Sequence, residues 1–322
     1  SDLARLMQSM RNPDESKGDF SAQIAANRRG QDRLNELIRQ MGSQPYIQAL
    51  EALNNYAGQL AVSCFNEIPD GEYHFSDVLD DDGLGHTDIV IRAGITVKQG
   101  KVHVDFSGSS SQVSGNVNCP ISVTAAAVYY VFRCLLPPQA PACAGSFRPI
   151  SITADKGSLL NAIYPAAVAA GNVETSTRIV DVVLGALSQA IPEKMPAASH
   201  GSMNNLAMGA PADKAGRAWD YYETIGGGMG ASASENGLDA VQTHMTNTLN
   251  TPIESLEMTF PVRVNRYQVR RGSGGKGLHT GGDGIVREFE FLQPADVTPV
   301  SYTHLRAHED ERRYLVCRLL LE

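Results

Sequence analysis

A change of period near Pro69-Asp70-Gly71 constrains the fold more than any other feature. Before that turn the apolar residues recur at helical spacing. Over residues 19–41, Ile24, Leu34, Leu37, Ile38 and Met41 fall near one face, and Ser21 stands where a cap is wanted. Arg28, Arg29, Asp32, Arg33 and Glu36 lie between them as a solvated charged face, and Gly42 ends the helix. A second helix is predicted from about residue 46 to 64, packed antiparallel on the first. After the turn the period becomes two. Residues 73–79, 87–93, 95–99 and 101–107 alternate or carry β-branched side chains and predict an antiparallel meander. Asp80-Asp81-Asp82-Gly83 reads as a charged hairpin turn, because the spacing of a calcium loop is absent.

Further on, the apolar, alanine-rich run 123–136 ends at Pro137-Pro138 and predicts a buried helix. Cys119 sits just before it, where a helix N-terminus can activate a thiol; a small buried residue beside a tight turn is the preferred reading. Residues 150–153 predict a strand and 178–190 a second buried helix. Glu174 and Arg178 lie one turn apart, which suggests a local ion pair or a polar lip on a cavity. Residues 258–264, 267–269 and 285–292 read as strands. The glycines from Gly272 to Gly284 have no phosphate-loop spacing and read as a glycine-rich hairpin. The expected class is α+β, with mixed or antiparallel sheets, packed helices and glycine-rich hairpins.

Composition narrows the function. A net charge of −8 argues against a nucleic-acid surface. No apolar run approaches the ~20 residues of a membrane span. The five cysteines form no CxxC pair and no zinc spacing, so they read as free thiols of a reducing cytoplasm. The first residues are polar and unlike a signal peptide, and without an initial Met the natural start is expected upstream.

Chemistry concentrates between His200 and Glu254. His200-Gly-Ser-Met-Asn204-Asn205 opens this stretch, Gly226-Gly227-Gly228-Met229-Gly230 crosses it, and His244-Met-Thr-Asn247-Thr-Leu-Asn250 leads to Glu254. Two imidazoles that titrate near neutrality stand among amides that donate in fixed directions. The glycines let backbone approach a ligand or another strand. Both motifs are expected to face one cleft, with the glycine run in its wall. A turn-rich segment satisfying its own backbone is the plain alternative.

These stretches, with others, resemble the hydantoinase B/5-oxoprolinase family, which includes the B component of N-methylhydantoinase and the large subunit of acetone and acetophenone carboxylases. The resemblance is carried by Asp19-Phe-Ser-Ala-Gln-Ile-Ala-Ala-Asn27, Asp77-Val-Leu-Asp-Asp-Asp-Gly83, Phe106-Ser-Gly-Ser-Ser110 and Asn116-Val-Asn118-Cys119-Pro120. It continues in Gly171-Asn-Val-Glu174-Thr175, the His200 and His244 motifs, Tyr222-Glu-Thr-Ile-Gly-Gly227-Gly228 and Gly281-Gly-Asp-Gly-Ile-Val-Arg287. It implies ATP-dependent ring opening of a cyclic amide, 5-oxoproline or hydantoin, with a hydantoinase A-type ATPase subunit or domain as partner. ATP and magnesium would sit on that partner, which phosphorylates the carbonyl oxygen. A divalent metal would be held by an N-terminal part lying before this sequence, leaving no metal ligands here. Within the matched motifs the candidate catalytic residues are His200, Asn204, Asn205, His244, Asn247, Asn250 and Glu254. Glu254 or Glu174 would orient a histidine, and the candidate substrate contacts are Asn118, Cys119, Glu174, Gly227 and Gly228. A fragment of a ketone carboxylase large subunit, or a non-catalytic scaffold for the A partner, are the alternatives. Residues 1–298 are expected to form a partial domain of this family, inactive alone. Residues 299–322 resemble translated sequencing-adapter text and are expected to pack poorly.

Overall fold

The computed structural model describes residues 5–7, 10, 13–212 and 218–300. Helices α1 (Pro13–Met41) and α2 (Ser43–Phe65) form the expected hairpin around Gly42, whose φ of 84° suits glycine. Their packing differs from expectation. Ile24, Leu34, Leu37 and Met41 of α1 stay exposed, as do Ile47, Leu50 and Leu53 of α2. The helices touch only lightly. What α2 buries is Ala57, Ala61 and Phe65, which it turns onto the core below.

The first sheet has the order β1 (Gly71–Asp81), β2 (Thr87–Lys98), β3 (Lys101–Asp105) and β4 (Ile150–Thr153). Two predicted strands, 87–93 and 95–99, are one: β2 runs straight through Gly94 and points Ile89, Ile91, Ala93, Ile95 and Val97 to the core. The β1–β2–β3 meander is antiparallel, but β4 joins β3 in parallel, so the sheet is mixed. A parallel neighbour requires a long crossover, and α3 (Ile121–Cys134) lies in it. Asp82 locks the turn after β1. Burial pushes its carboxyl up, but hydrogen bonds from the Leu84, Gly115 and His86 amides and from the His86 ring outweigh this and hold it at about 2.

Helix α4 (Ser176–Leu187) covers β1 and β2 and packs on α3. It begins two residues before the predicted start. Its burial is nearly complete and takes in Ser176, Thr177, Arg178 and Asp181. Burying such groups costs several kcal/mol unless each finds partners. Where those partners stand locates the site.

The second part of the chain is only partly strand as expected. β5 (Asn205–Ala210) lies between β6 (Trp219–Thr224) and β9 (Asp296–Val300), antiparallel to both. β7 (Val262–Arg270) and β8 (Gly284–Phe291) form a hairpin with a register shift between Val264 and Arg266. The predicted strand at 258–264 is in fact the end of a short helix, α5 (Ile253–Thr259), followed by the start of β7. Leu206, Met208, Leu256, Val262 and Phe289 make this part's own apolar core. Strand β9 takes in Pro299 and Val300, across the boundary expected at residue 298, and residues 301–322 lie outside the described residues. Helices with mixed and antiparallel sheets make the fold α+β, as expected. Among the described residues no helix is long and apolar enough to cross a membrane, and the four described cysteines are free thiols.

Candidate functional site

The loop that enters β5 carries His200, Ser202, Asn204 and Asn205. Gly201 and Asn204 take positive φ there, 75° and 47°, which turns the chain sharply enough to present neighbouring side chains to opposite sides. The glycine run crosses this loop. A Cβ on Gly227 would overlap the His200 ring, and one on Gly228 would strike the backbone carbonyl of Gly282. Glycine is therefore needed at both positions for three backbone segments to meet: 200–205, 226–230 and the β7–β8 loop.

Where they meet is a cavity of about 570 Å³. His200, Asn204, Asn205 and the glycines from Gly226 to Gly230 line it, with Arg270, Lys276 and Arg287 from the β7–β8 hairpin. The expected cleft is there for the first motif. The second motif does not reach it. His244, Asn247, Asn250 and Glu254 are not in the cavity wall.

The protonation of His200 follows from its neighbours. Its Nδ1 lies 3.2 Å from the Gly228 carbonyl oxygen, which can only accept. Donation to that carbonyl, the shorter contact, puts the proton on Nδ1 and the lone pair on Nε2; the Thr243 hydroxyl stands 3.5 Å from the same Nδ1. That Nε2 is buried and has no hydrogen-bond partner. Burial pushes the ring pKa down, against backbone hydrogen bonding to Gly228 and Ser202, so the neutral form prevails at pH 7. A neutral imidazole with its lone pair on Nε2 can accept a proton once a side-chain shift opens this buried nitrogen to water from the cavity.

Donors stand beside it. Asn205 is 2% exposed; Thr224 Oγ1 donates to its Oδ1, and its Nδ2 has no partner. Arg287 is also 2% exposed. Its Nη1 donates to Glu223, while its Nε and Nη2 have no partner. The guanidinium carbon lies 4.7 Å from the Tyr267 ring centre and 5.0 Å from that of Phe289, which fixes its plane. Neither Arg287 nor Glu223 was among the sequence candidates. Arg287 closes a motif that carried the resemblance, and that was the only sign of it.

The remaining candidates have other tasks. His244 Nε2 donates to Asp181 Oδ1 at 2.8 Å, with Tyr130 edge-on to its ring. Asp181 also accepts from the Ser199 amide and hydroxyl, so it joins α4 to both histidine motifs. The orienting carboxylate is thus Asp181, not Glu254 or Glu174. Glu254 is exposed at the start of α5, and Asn247 is exposed too. Asn250 donates to the Thr224 carbonyl and accepts from the Tyr267 hydroxyl, a tie between β6 and β7. The expected Glu174–Arg178 pair is replaced by a longer reach, Arg178 Nη1 to Asp77 Oδ2 at 2.8 Å across to β1. Glu174 instead accepts from Ser202 Oγ at 3.0 Å, and Ser202 Oγ accepts from the Asn204 amide. Burial pushes the Glu174 carboxyl up to about 7, although Ser202 and Arg178 pull it down. Glu174 therefore braces the loop from behind.

Asn118 and Cys119 are structural. Asn118 donates to three carbonyls, those of Val113, Gly115 and Ala167, and accepts from the Val113 amide. Cys119 Sγ donates to the Gly171 carbonyl, and burial pushes the thiol up to about 12. No thiolate forms there near neutral pH. Among the described residues no group of three or more His, Cys, Asp or Glu is placed to hold a metal ion.

The family profile described as hydantoinase B/oxoprolinase matches residues 1–309. The chain belongs to this family. It is 40% identical over 301 residues to 5-oxoprolinase 1 of Arabidopsis thaliana, covering 89% of this chain and 22% of that protein. It is 33% identical over 298 residues to the B-type subunit of a putative D-/L-hydantoinase from a Pseudomonas species, covering 89% of this chain and 50% of that one. The chain thus spans half or less of these relatives. The ATP-dependent caprolactamase from Pseudomonas jessenii superposes with a TM-score of 0.79 at 28% identity, over 91% of this chain and 52% of its own. Acetone carboxylase superposes with a TM-score of 0.75 at 17% identity, over 85% and 39%. This second likeness speaks for the fold alone.

Proposed function

We propose that this chain is the B-type part of an ATP-dependent cyclic-amide hydrolase, and that ring opening of 5-oxoproline or hydantoin takes place at the cavity beside His200. The observation that carries the reading is the free, buried Nε2 of a neutral His200 beside unpartnered donors on Asn205 and Arg287. Amide hydrolysis needs a base for the attacking water and donors for the oxygen that becomes negative. His200 Nε2 takes the water proton and returns it to the ring nitrogen as the C–N bond breaks. The acyl phosphate left behind then takes up a second water and releases inorganic phosphate, giving the carboxylate. Asn205 Nδ2 and the Arg287 guanidinium stabilise the negative charge of the phosphoryl-bearing oxygen and of the phosphate that leaves. Asp181 and Ser202 hold the two loop segments, so the geometry is set before the ligand arrives. ATP belongs to an A-type ATPase partner and supplies activation of the carbonyl oxygen. One relative carries the name of a hydantoinase B-type subunit and another is named ATP-dependent, which supports that division of labour. Asn204 shares the wall, and Gly227 and Gly228 shape it.

The test is turnover of 5-oxoproline and of hydantoin with an A-type partner and ATP. His200→Ala should lower turnover by about 10²-fold, with the circular dichroism spectrum retained. His244→Ala should affect stability more than turnover, because its imidazole is spent on Asp181. Near-normal turnover in His200→Ala refutes the assignment.

A further inference from the structure

The cavity wall has a charge the chain as a whole does not. The sequence carries 35 acidic residues against 27 lysines and arginines. Among the described residues, the wall includes Arg270, Lys276 and Arg287 and not one aspartate or glutamate. Three carboxylates that touch or adjoin wall residues are already engaged. Asp181 accepts from Ser199 and His244. Glu223 accepts from Arg287 Nη1 and from the Thr251 amide. Asp283 accepts from the Gly272 and Gly274 amides. A second, independent observation is the set of unmet donors: Arg287 Nε and Nη2 and Asn205 Nδ2, on side chains of residues only 2% exposed and placed in the wall. Unmet buried donors call for an acceptor; Arg287 already has Glu223 as its countercharge, so the charge asking for a negative ligand is that of Arg270 and Lys276 at the mouth.

We infer that the hairpin side of this cavity is an anion subsite, formed by Arg270, Lys276 and Arg287 with the Asn205 amide, and that its ligand carries a carboxylate or phosphoryl oxygen group. A neutral ring alone would leave Arg270 and Lys276 at the mouth without an anion to draw in. Arg287 supplies a fixed, planar fork, held between Tyr267 and Phe289, that matches two oxygens of one group. Arg270 and Lys276 are exposed at the mouth, where they draw an anion in and where salt screens them. The inference deepens the cyclic-amide reading and rests on it for the reaction, though not for the binding.

Titration of the purified chain, followed by ligand-observed NMR, decides it. The ligands are inorganic phosphate, 5-oxoproline, which bears a carboxylate, and hydantoin, which is neutral. Phosphate and 5-oxoproline should compete for one site, and hydantoin should bind about tenfold more weakly or worse. The ratio of the first two affinities identifies which anionic group the subsite prefers. Arg270→Gln with Lys276→Gln, both at exposed positions, should weaken both anions about tenfold and leave hydantoin unchanged. Equal affinity for hydantoin and 5-oxoproline, unaltered anion affinity in the double variant, or no binding of either anion overturns the subsite. A parallel turnover assay with the ATPase partner separates the two claims. Anion binding intact with no turnover of any ring sinks the hydrolase reading alone. Ring opening with an unchanged KM for 5-oxoproline in the double variant sinks the subsite alone.

Discussion

Glu174 offers a quantitative test of how the loop is braced. Burial lifts its carboxyl from 4.5 to about 7. At about 1.4 kcal/mol per pH unit this difference is worth up to about 3 kcal/mol. The folded state holds the proton more tightly than the unfolded chain does. The stabilisation is therefore fully present below pH 4.5 and is lost as the pH rises through 7. Glu174→Gln imitates the protonated carboxyl: its Oε1 still accepts from Ser202, and no charge appears on titration. Urea denaturation at a series of pH values between 5 and 8 should show the parent losing about 2–3 kcal/mol relative to the variant over that range. The two should be similar at pH 5, and the variant should be the more stable at pH 8. Other titrating groups, such as His200, are common to both proteins and cancel in the difference. Parallel curves across the whole range would refute a buried, proton-holding Glu174.

Three further outcomes are expected. Gly228→Ala should cost more than about 2 kcal/mol, read as a fall in Tm, because the new methyl meets a backbone carbonyl that cannot move, whereas Gly275→Ala, with open space around it, should stay within about 0.5 kcal/mol. Asp181→Ala should cost about 2–4 kcal/mol in urea denaturation by leaving the buried His244 Nε2–H and the Ser199 amide without an acceptor; a smaller loss than from an exposed alanine control would contradict its bridging role. Cys119 should resist iodoacetamide at pH 8 in the folded protein and react in urea, by mass spectrometry of the labelled peptides.

Local pattern is enough for the elements whose side chains repeat with a clear period. Helices α1 to α4 and strands β1 to β3 follow from spacing, because a helix or a hairpin satisfies its own backbone within a few residues. The family, too, is legible in motifs spread along residues 19–287. Strands β5 and β6 are not. Asn205-Leu-Ala-Met-Gly-Ala210 is buried on both faces or filled with small residues, so it has no alternation to read. Helix α5 reads as strand because the predicted segment straddles a helix end and a strand start. The site is half legible. That His200, Asn204 and Asn205 share a wall with the glycine run follows from the economy of burying polar groups. That His244 turns away does not, since Asp181 lies 63 residues from it in the chain. Arg287 and Glu223 are 64 residues apart, and Arg178 and Asp77 are 101 apart. Sequence determines which groups must find partners once buried; only the tertiary packing, which brings distant segments within hydrogen-bond reach, decides which partner each one finds and which donors are left over for a ligand.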